Sequence, residues 1–127
     1  MEIKELQDKM YKAGVLPVIA IESPDQALPL ADALIEGGLP VAEITFRTAV
    51  AADVIAKLKK ERPQLLLGAG TLVTLENLRK ARACGAQFGV APGLSPHIVR
   101  EAGKLEMPFI PGVMTPSDIE AALSLGI

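Results

Sequence analysis

Short apolar runs alternate with stretches of helical periodicity along the whole chain, and this alternation restricts the possible folds more than any other feature of the sequence. Each run is followed by apolar residues spaced three or four positions apart, which is typical of an amphipathic helix. The runs begin about 20 to 26 residues apart, the spacing of strand-helix units in a parallel sheet rather than of hairpins. The five predicted strands cover residues 15–21, 41–46, 65–67, 88–90 and 108–110.

The predicted helices carry recognisable capping residues. A leading helix over residues 2–13 ends at Gly14, and glycine is a common residue just past a helix end. A serine or threonine before a helix accepts a hydrogen bond from the first turn, and proline suits the first helical position. The later helices are predicted to begin at Ser23, Thr48, Thr74, Ser95 and Thr115.

Repeated strand-helix units form either a doubly wound sheet or a closed eight-stranded barrel. The predicted strand-to-helix loops are short and polar, and no long crossover marks a reversal of strand order. These features favour an α/β fold of the TIM-type (βα)8 barrel class. A complete barrel needs roughly 200 residues or more. The 127 residues are therefore expected to form a single partial barrel domain, 1–127, with about five βα units, lacking the C-terminal strands and helices.

The charge and cysteine content exclude several classes of partner. With 13 basic and 15 acidic residues and a formal net charge of −2, the chain has no broad basic surface for nucleic acid or an anionic membrane. The single cysteine rules out an internal disulfide framework and a cysteine cluster for a metal, which favours the cytoplasm. The acidic N-terminal stretch and the absence of a long apolar run argue against a signal peptide or a transmembrane segment.

One carboxylate interrupts an otherwise apolar predicted strand. Residues 41–46 are Val-Ala-Glu-Ile-Thr-Phe, and strand alternation places Glu43, Thr45 and Arg47 on one face. In a barrel this face points to the interior, where burial raises the carboxylate pKa and allows Glu43 to transfer protons. The alternative is a structural ion pair between Glu43 and Arg47, because ion pairs also perturb carboxylates.

Further candidates follow the predicted strands, at the edge where βα barrels carry their sites. Arg47 either holds a carboxylate with two hydrogen bonds or is an arginine exposed at the rim. The segment 68–71, Gly-Ala-Gly-Thr, either offers close backbone approach and a hydroxyl to a ligand or is a tight turn into the helix that Thr74 begins. It lacks the ending of a P-loop. Pro92-Gly93 and Pro111-Gly112 are interpreted as turn residues.

No lysine is predicted at the end of a strand. An amine nucleophile must be desolvated to be neutral near pH 7, whereas all lysines of this chain lie on predicted helices. Cys84 is interpreted as a core residue and His97 as a surface residue, and Met107 and Met114 as packing residues. The eight lysines are Lys4, Lys9, Lys12, Lys57, Lys59, Lys60, Lys80 and Lys104.

Six segments, taken together and in order, resemble the N-terminal part of the family of 2-keto-3-deoxy-6-phosphogluconate (KDPG) aldolase and 4-hydroxy-2-oxoglutarate aldolase. Each segment alone would be weak evidence, but the set is specific and extends over the whole chain. The segments are 14–19 (GVLPVI), 36–38 (EGG), 43–47 (EITFR), 68–71 (GAGT), 91–94 (APGL) and 110–116 (IPGVMTP).

The resemblance implies a trimeric class I aldolase that uses no cofactor and no metal. Its substrate is KDPG, cleaved to pyruvate and glyceraldehyde 3-phosphate, and/or 4-hydroxy-2-oxoglutarate, cleaved to pyruvate and glyoxylate. By motif, Glu43 matches the acid/base, Arg47 and Thr71 match the residues that hold the pyruvate carboxylate, and Pro92 lines the pocket. The lysine that forms the family's Schiff base lies in a Lys-Phe-Phe-Pro-like motif beyond Ile127. The chain is therefore expected to be cut and inactive alone.

Two other interpretations remain open at the level of sequence. In the first, the chain is a non-catalytic folding or assembly fragment. The strand edges of an interrupted barrel then favour a homo-oligomer. Alternatively, the five strands form an open α/β domain of flavodoxin-like order that binds an anion at segment 68–71 without Arg47.

Overall fold

A computed structural model describes all 127 residues, which form six α-helices and five β-strands. Strands and helices alternate after the leading helix, as the sequence predicts. The elements are α1 (Ile3–Ala13), β1 (Val18–Ile19), a 3-10 turn (Pro24–Gln26), α2 (Ala27–Glu36), β2 (Val41–Thr45), α3 (Ala51–Glu61), β3 (Leu66–Gly70), α4 (Leu75–Ala83), β4 (Phe88–Ala91), α5 (Pro96–Lys104), β5 (Phe109–Pro111) and α6 (Pro116–Ser124).

The five strands form one parallel sheet in the order β1-β2-β3-β4-β5. Each strand pairs with its neighbours in sequence, because a helix returns the chain to the same end of the sheet after every strand. A flavodoxin-like sheet requires a reversal of strand order. The open flavodoxin-like interpretation is therefore wrong.

The two faces of the sheet have different partners. On the face that we call the back face, strand residues such as Ile44 and Leu67 pack with α2 to α5 in a core of 22 buried residues. On the opposite face, the front face, Leu6 of α1 packs with Val41, Leu66 and Phe88. Alternation places Glu43 and Thr45 on the front face, together with Gly68 and Gly70. The list of front-face positions on β2 and β3 is thus Val41, Glu43, Thr45, Leu66, Gly68 and Gly70.

Helix capping follows the predictions in part. The hydroxyls of Thr74 and Thr115 accept hydrogen bonds from the first turns of α4 and α6, and Asp118 completes a capping box with Thr115. Ser95 precedes α5 without a side-chain capping bond. The helix predicted at Thr48 begins instead at Ala51, and the Thr48 hydroxyl donates to the Ile21 carbonyl at 2.7 Å rather than accepting a capping hydrogen bond.

Two strands differ in length from the predictions. β1 is limited to Val18–Ile19, although the apolar run extends over 15–21. β3 continues to Gly70, so Gly68, Ala69 and Gly70 are strand residues rather than the turn into α4. The apolar pattern underestimates β3 because glycine is uncommon in strand interiors unless another group approaches the backbone closely.

None of the helices combines the length and the apolar composition that a membrane span requires. The structure also contains no cluster of three or more His, Cys, Asp or Glu side chains placed to share a metal ion.

Candidate active site

Glu43 is a largely buried residue whose carboxylate has no partner in the protein. It lies in the middle of β2 on the front face and is 5% exposed. Its side chain forms none of the hydrogen bonds or ion pairs found in the chain, although its backbone N–H donates to Pro17. Burial raises the pKa of Glu43 above the ordinary value of 4.5, and the charge of Arg47 acts in the opposite direction. A carboxyl group with a raised pKa holds its proton more readily than an exposed one, which suits it to proton transfer.

Gly70 provides the space that the Glu43 carboxyl group occupies. A Cβ atom added at Gly70 would lie 1.7 Å from Oε1 of Glu43 and 2.6 Å from its Cδ. The register pairs Gly70 with Thr45 and Gly68 with Glu43, so the carboxylate leans along β2 towards the carboxyl ends of the strands. Gly68 has the same function for another side chain, since its Cβ would lie 2.2 Å from the Phe88 ring.

Arg47 and Thr71 meet at the carboxyl edge of the sheet. Arg47 follows β2 and Thr71 follows β3, and Nε of Arg47 donates a hydrogen bond to Oγ1 of Thr71 at 3.3 Å. The Phe46 N–H donates to the Gly70 carbonyl at 2.8 Å, which fixes the two strand ends side by side. Thr71 has a φ of 59°, a left-handed conformation that is uncommon for a β-branched residue. Strained backbone of this kind is concentrated at ligand-binding sites.

The structure decides between the two interpretations of Glu43 and Arg47. No ion pair within 4.0 Å joins them, so the structural ion-pair hypothesis is wrong. Arg47 is exposed and donates to Thr71 through Nε alone, which leaves its two terminal nitrogens available. Two parallel N–H groups and a hydroxyl match the geometry of a bound carboxylate.

Pro92 lies on the same edge but further along the sheet. It follows β4, is exposed, and lines a cavity of about 280 Å³ that includes neither Glu43 nor Arg47. Its carbonyl oxygen would lie 2.2 Å from a Cβ added at Gly112, so the loops after β4 and β5 touch there. The structure thus brings Glu43, Arg47 and Thr71 together and places Pro92 outside that group.

The remaining sequence interpretations have mixed outcomes. All eight lysines lie on helices, in α1, α3, α4 and α5, as predicted. His97 is exposed and Met107 is buried, which confirms both predictions, whereas Met114 is almost fully exposed and its assignment as a packing residue is wrong. Cys84 ends α4 half-buried, and burial raises the pKa of its thiol.

Sequence reasoning did not identify two residues of this region. The sequence predicts segment 68–71 either as a close backbone approach to a ligand or as a turn, and it predicts that Thr45 shares the face of Glu43, without a function for Gly70 or Thr45 in relation to the carboxylate. The signal for Thr45 was present in the alternation, because a threonine two positions from a buried carboxylate shares its face. The signal for Gly70 was absent, since the contact depends on the register between β2 and β3.

We expect Glu43→Gln to raise the free energy of unfolding at neutral pH, because it removes a partly desolvated charge that has no partner in the protein and preserves side-chain size. The folded chain binds the Glu43 proton more tightly than the unfolded chain does, since burial raises the folded pKa above 4.5. Wild-type stability therefore falls as the pH rises from 4.5 through the folded pKa. The increase in the free energy of unfolding caused by Glu43→Gln should therefore be complete above the folded pKa and absent below pH 4.5.

Urea unfolding of both chains across this pH range measures the difference. Glu22→Gln, at an exposed position after β1, is the matched control and should show no such pH-dependent gain. A Glu43→Gln effect that is the same at every pH would contradict the assignment of the raised pKa.

Comparison with known proteins identifies the family of this chain. The family model for KDPG and KHG aldolase matches residues 6–127. The 2-dehydro-3-deoxy-phosphogluconate aldolase of Haemophilus influenzae is 46% identical over 124 residues, which cover 98% of this chain and 58% of that protein. The KHG/KDPG aldolase of Escherichia coli K12 is 37% identical over 113 residues, 89% of this chain and 53% of that protein.

Solved structures agree with these relatives. The KDPG aldolase of Zymomonas mobilis ZM4 with 3-phosphoglycerate superposes with a TM-score of 0.91 at 36% identity, over 99% of this chain and 60% of that chain. The Legionella pneumophila KDPG aldolase, with pyruvate captured as a covalent carbinolamine, has a TM-score of 0.85 at 39% identity, over 88% and 54% of the two chains. The chain spans between half and about three fifths of the length of these proteins. From residue 6 to residue 127, it belongs to the KDPG and KHG aldolase family.

Proposed function

We propose that this chain is a partial (βα)8 barrel domain that carries the proton-transfer and carboxylate-binding residues of a class I aldolase. The observation that carries this proposal is the unpartnered, buried Glu43 on the front face, with the Arg47–Thr71 pair at the carboxyl end of the same strand and its neighbour. A proton-transfer group near an arginine suits the chemistry of a 2-keto acid, which presents a carboxylate next to a carbonyl.

In the proposed reaction, Arg47 and Thr71 hold the carboxylate of the keto acid. A lysine outside this chain adds to the C2 carbonyl and loses water to form an imine. Glu43, through a water molecule, takes the proton of the C4 hydroxyl, and the C3–C4 bond breaks as its electrons move into the iminium. An aldehyde leaves, protonation of the enamine gives the imine of pyruvate, and addition of water to this imine releases pyruvate and the free lysine. Covalent catalysis of this kind replaces one difficult step by several easier ones.

The whole enzyme is proposed to cleave KDPG to pyruvate and glyceraldehyde 3-phosphate, and/or 4-hydroxy-2-oxoglutarate to pyruvate and glyoxylate. The names of the relatives support both substrates, since they include KDPG aldolases and a KHG/KDPG aldolase. Pro92, at the end of β4, is proposed to line the substrate pocket.

Arg47→Ala is expected to weaken pyruvate binding by about 10-fold or more, because a hydrogen bond to a charged group contributes about 1.5–3 kcal/mol. The affinity is measured by titrating pyruvate into the labelled 127-residue chain and following amide shifts near Thr71. Arg47→Lys should recover only part of the affinity, since lysine cannot form two parallel hydrogen bonds. Arg100→Ala, an exposed arginine on α5, is the control. Equal pyruvate affinity in Arg47→Ala and the wild-type chain would reject the assigned carboxylate site.

The 127-residue chain is expected to form no covalent adduct with pyruvate. All its lysines lie on helices, seven of them exposed, and none lies at the carboxyl edge of the sheet beside Arg47 and Thr71. Borohydride reduction in the presence of pyruvate, followed by intact mass measurement, tests this directly. A stoichiometric adduct on one lysine would show that the chain contains its own nucleophile. It would overturn the proposal that the lysine of the reaction is not among residues 1–127.

A non-catalytic assembly property is the second candidate. The outer edges of β1 and β5 are unpaired in the sheet, and Val18 and Ile110 on these strands are exposed. Unpaired parallel edges with apolar side chains favour association. We propose that the 127-residue chain forms homo-oligomers, which light scattering at increasing protein concentration measures.

A further inference from the structure

Thr45 has a buried hydroxyl group with no hydrogen-bond partner. It is the last residue of β2, is 1% exposed, and its Oγ1 is the one buried side-chain polar atom of the chain that remains unpaired. Leaving such a group unsatisfied is costly, because the hydroxyl gives up its hydrogen bonds to water without replacing them. An isolated case in a folded protein therefore requires a functional or structural reason.

The unpaired Thr45 hydroxyl and the unpaired Glu43 carboxylate are close to each other. Both lie on the front face of β2, two positions apart. The register pairs Thr45 with Gly70, and the Glu43 carboxylate occupies the space above Gly70, with Oε1 only 1.7 Å from where a Cβ would be. Adjacent strands are about 4.8 Å apart. The two polar groups therefore lie beside the same residue of β3 and are not hydrogen-bonded to each other.

We propose that Thr45 is a positioning residue for Glu43: its hydroxyl donates a hydrogen bond to the ionised carboxylate and holds it above Gly70. Hydrogen bonds between catalytic groups are often long in ligand-free structures and shorten when substrate binds. The inference deepens the proposed acid/base function of Glu43 and rests on it for its catalytic consequence only.

The surroundings of Glu43 leave few other groups that can stabilise its charge. The flanking strands β1 (Val18–Ile19) and β3 (Leu66–Gly70) contain no titratable side chain, and the one charge that acts on Glu43 is that of Arg47. Arg47 directs its Nε to Thr71 instead. Since a hydrogen bond to the charged form of an acid favours that form, the Thr45 hydroxyl opposes the effect of burial.

The experiment is a pH titration of the Glu43 carboxyl carbon by NMR in the full 127-residue chain. In Thr45→Val, which preserves shape and removes the hydroxyl, the pKa of Glu43 should move upwards by about half a pH unit or more. Thr45→Ser, which restores the hydroxyl and removes the methyl group, should return the pKa towards the wild-type value. A packing function alone would produce the opposite order, since valine packs like threonine and serine does not.

Thr48→Val is the matched control. Its hydroxyl donates to the Ile21 carbonyl, so the substitution should lower stability while the pKa of Glu43 stays unchanged. Thr45→Val should lower the urea midpoint at pH values at which Glu43 is ionised, because the carboxylate then loses its hydrogen-bond donor. A pKa of Glu43 that is equal in Thr45→Val and wild type would overturn the proposal.

A measurement on the wild-type chain keeps the proposal testable if the valine variant does not fold. The γ-methyl resonance of Thr45 should titrate with the same midpoint as the Glu43 carboxyl carbon, and a methyl shift independent of that midpoint would contradict the hydrogen bond. Neither titration contains pyruvate or borohydride. Failure of this inference is therefore distinguishable from failure of the proposed aldolase function, which the pyruvate experiments test.

Discussion

Phe88→Ala is expected to destabilise the chain by about 3–5 kcal/mol, the usual cost of removing a buried aromatic ring. Phe88 is fully buried on the front face and packs with Leu6 of α1, Val41 and Leu66. Because this cluster joins α1 to the sheet, removing the ring leaves a cavity between them. Because domains of this size are stable by about 5–15 kcal/mol, urea unfolding should show a large decrease in midpoint.

The control for this variant is Tyr11→Ala, which removes an aromatic ring from the solvent-exposed surface of α1. Its effect should lie within about 0.5 kcal/mol. If Phe88→Ala lowers the free energy of unfolding as little as Tyr11→Ala does, α1 is attached to the sheet by other contacts.

A substitution at Gly68 tests the packing of the Phe88 ring against the backbone of β3. A Cβ at Gly68 would lie 2.2 Å from two carbons of the Phe88 ring, so Gly68→Ala alone should destabilise the chain strongly. In the Phe88→Ala background the added methyl group enters the space that the ring has left. The two substitutions should then be less harmful together than the sum of their separate effects. Additive free energies of unfolding would contradict the close approach of Gly68 to the ring.

Local sequence chemistry predicts much of this fold. A serine or threonine followed by proline predicts where a helix begins. Thr115 caps α6, for example, and Pro116 is the first residue of that helix. The spacing of the apolar runs predicts parallel strands in sequential order, and alternation within 41–46 predicts that Glu43 and Thr45 share a face. These features depend on residues within one turn or one strand, which the chain itself contains.

Contacts between strands were not predictable in the same way. Gly68 and Gly70 are typical turn residues by type, yet they lie inside β3 because a ring and a carboxylate approach their backbones. The Arg47–Thr71 hydrogen bond depends on β2 and β3 ending at the same level, which only the register determines. Sequence periodicity fixes which face a side chain uses but leaves open which residue of the next strand lies opposite.

Gly70→Ala is expected to displace the Glu43 carboxylate, because the new methyl group would lie 1.7 Å from its Oε1. The flexible end of the Glu43 side chain has to move, since the obstructed atoms belong to that side chain and not to backbone. Movement towards solvent returns the pKa of Glu43 towards its ordinary value, and the same NMR titration measures this. In a complete enzyme that contains this site, a displacement of about 1 Å at the proton-transfer group can cost about 100-fold in rate.

The sign of the stability change identifies the cause. With Glu43 present, Gly70→Ala should lower the free energy of unfolding. In a Glu43→Ala background, the same substitution should raise it by about 0.5–1 kcal/mol, because alanine restricts the unfolded chain more than glycine does and no carboxylate remains to obstruct it. If Gly70→Ala destabilises both backgrounds equally, β3 requires glycine for its backbone alone. A reversal of sign instead means that Gly70 is needed because the buried carboxylate occupies the space of its missing side chain.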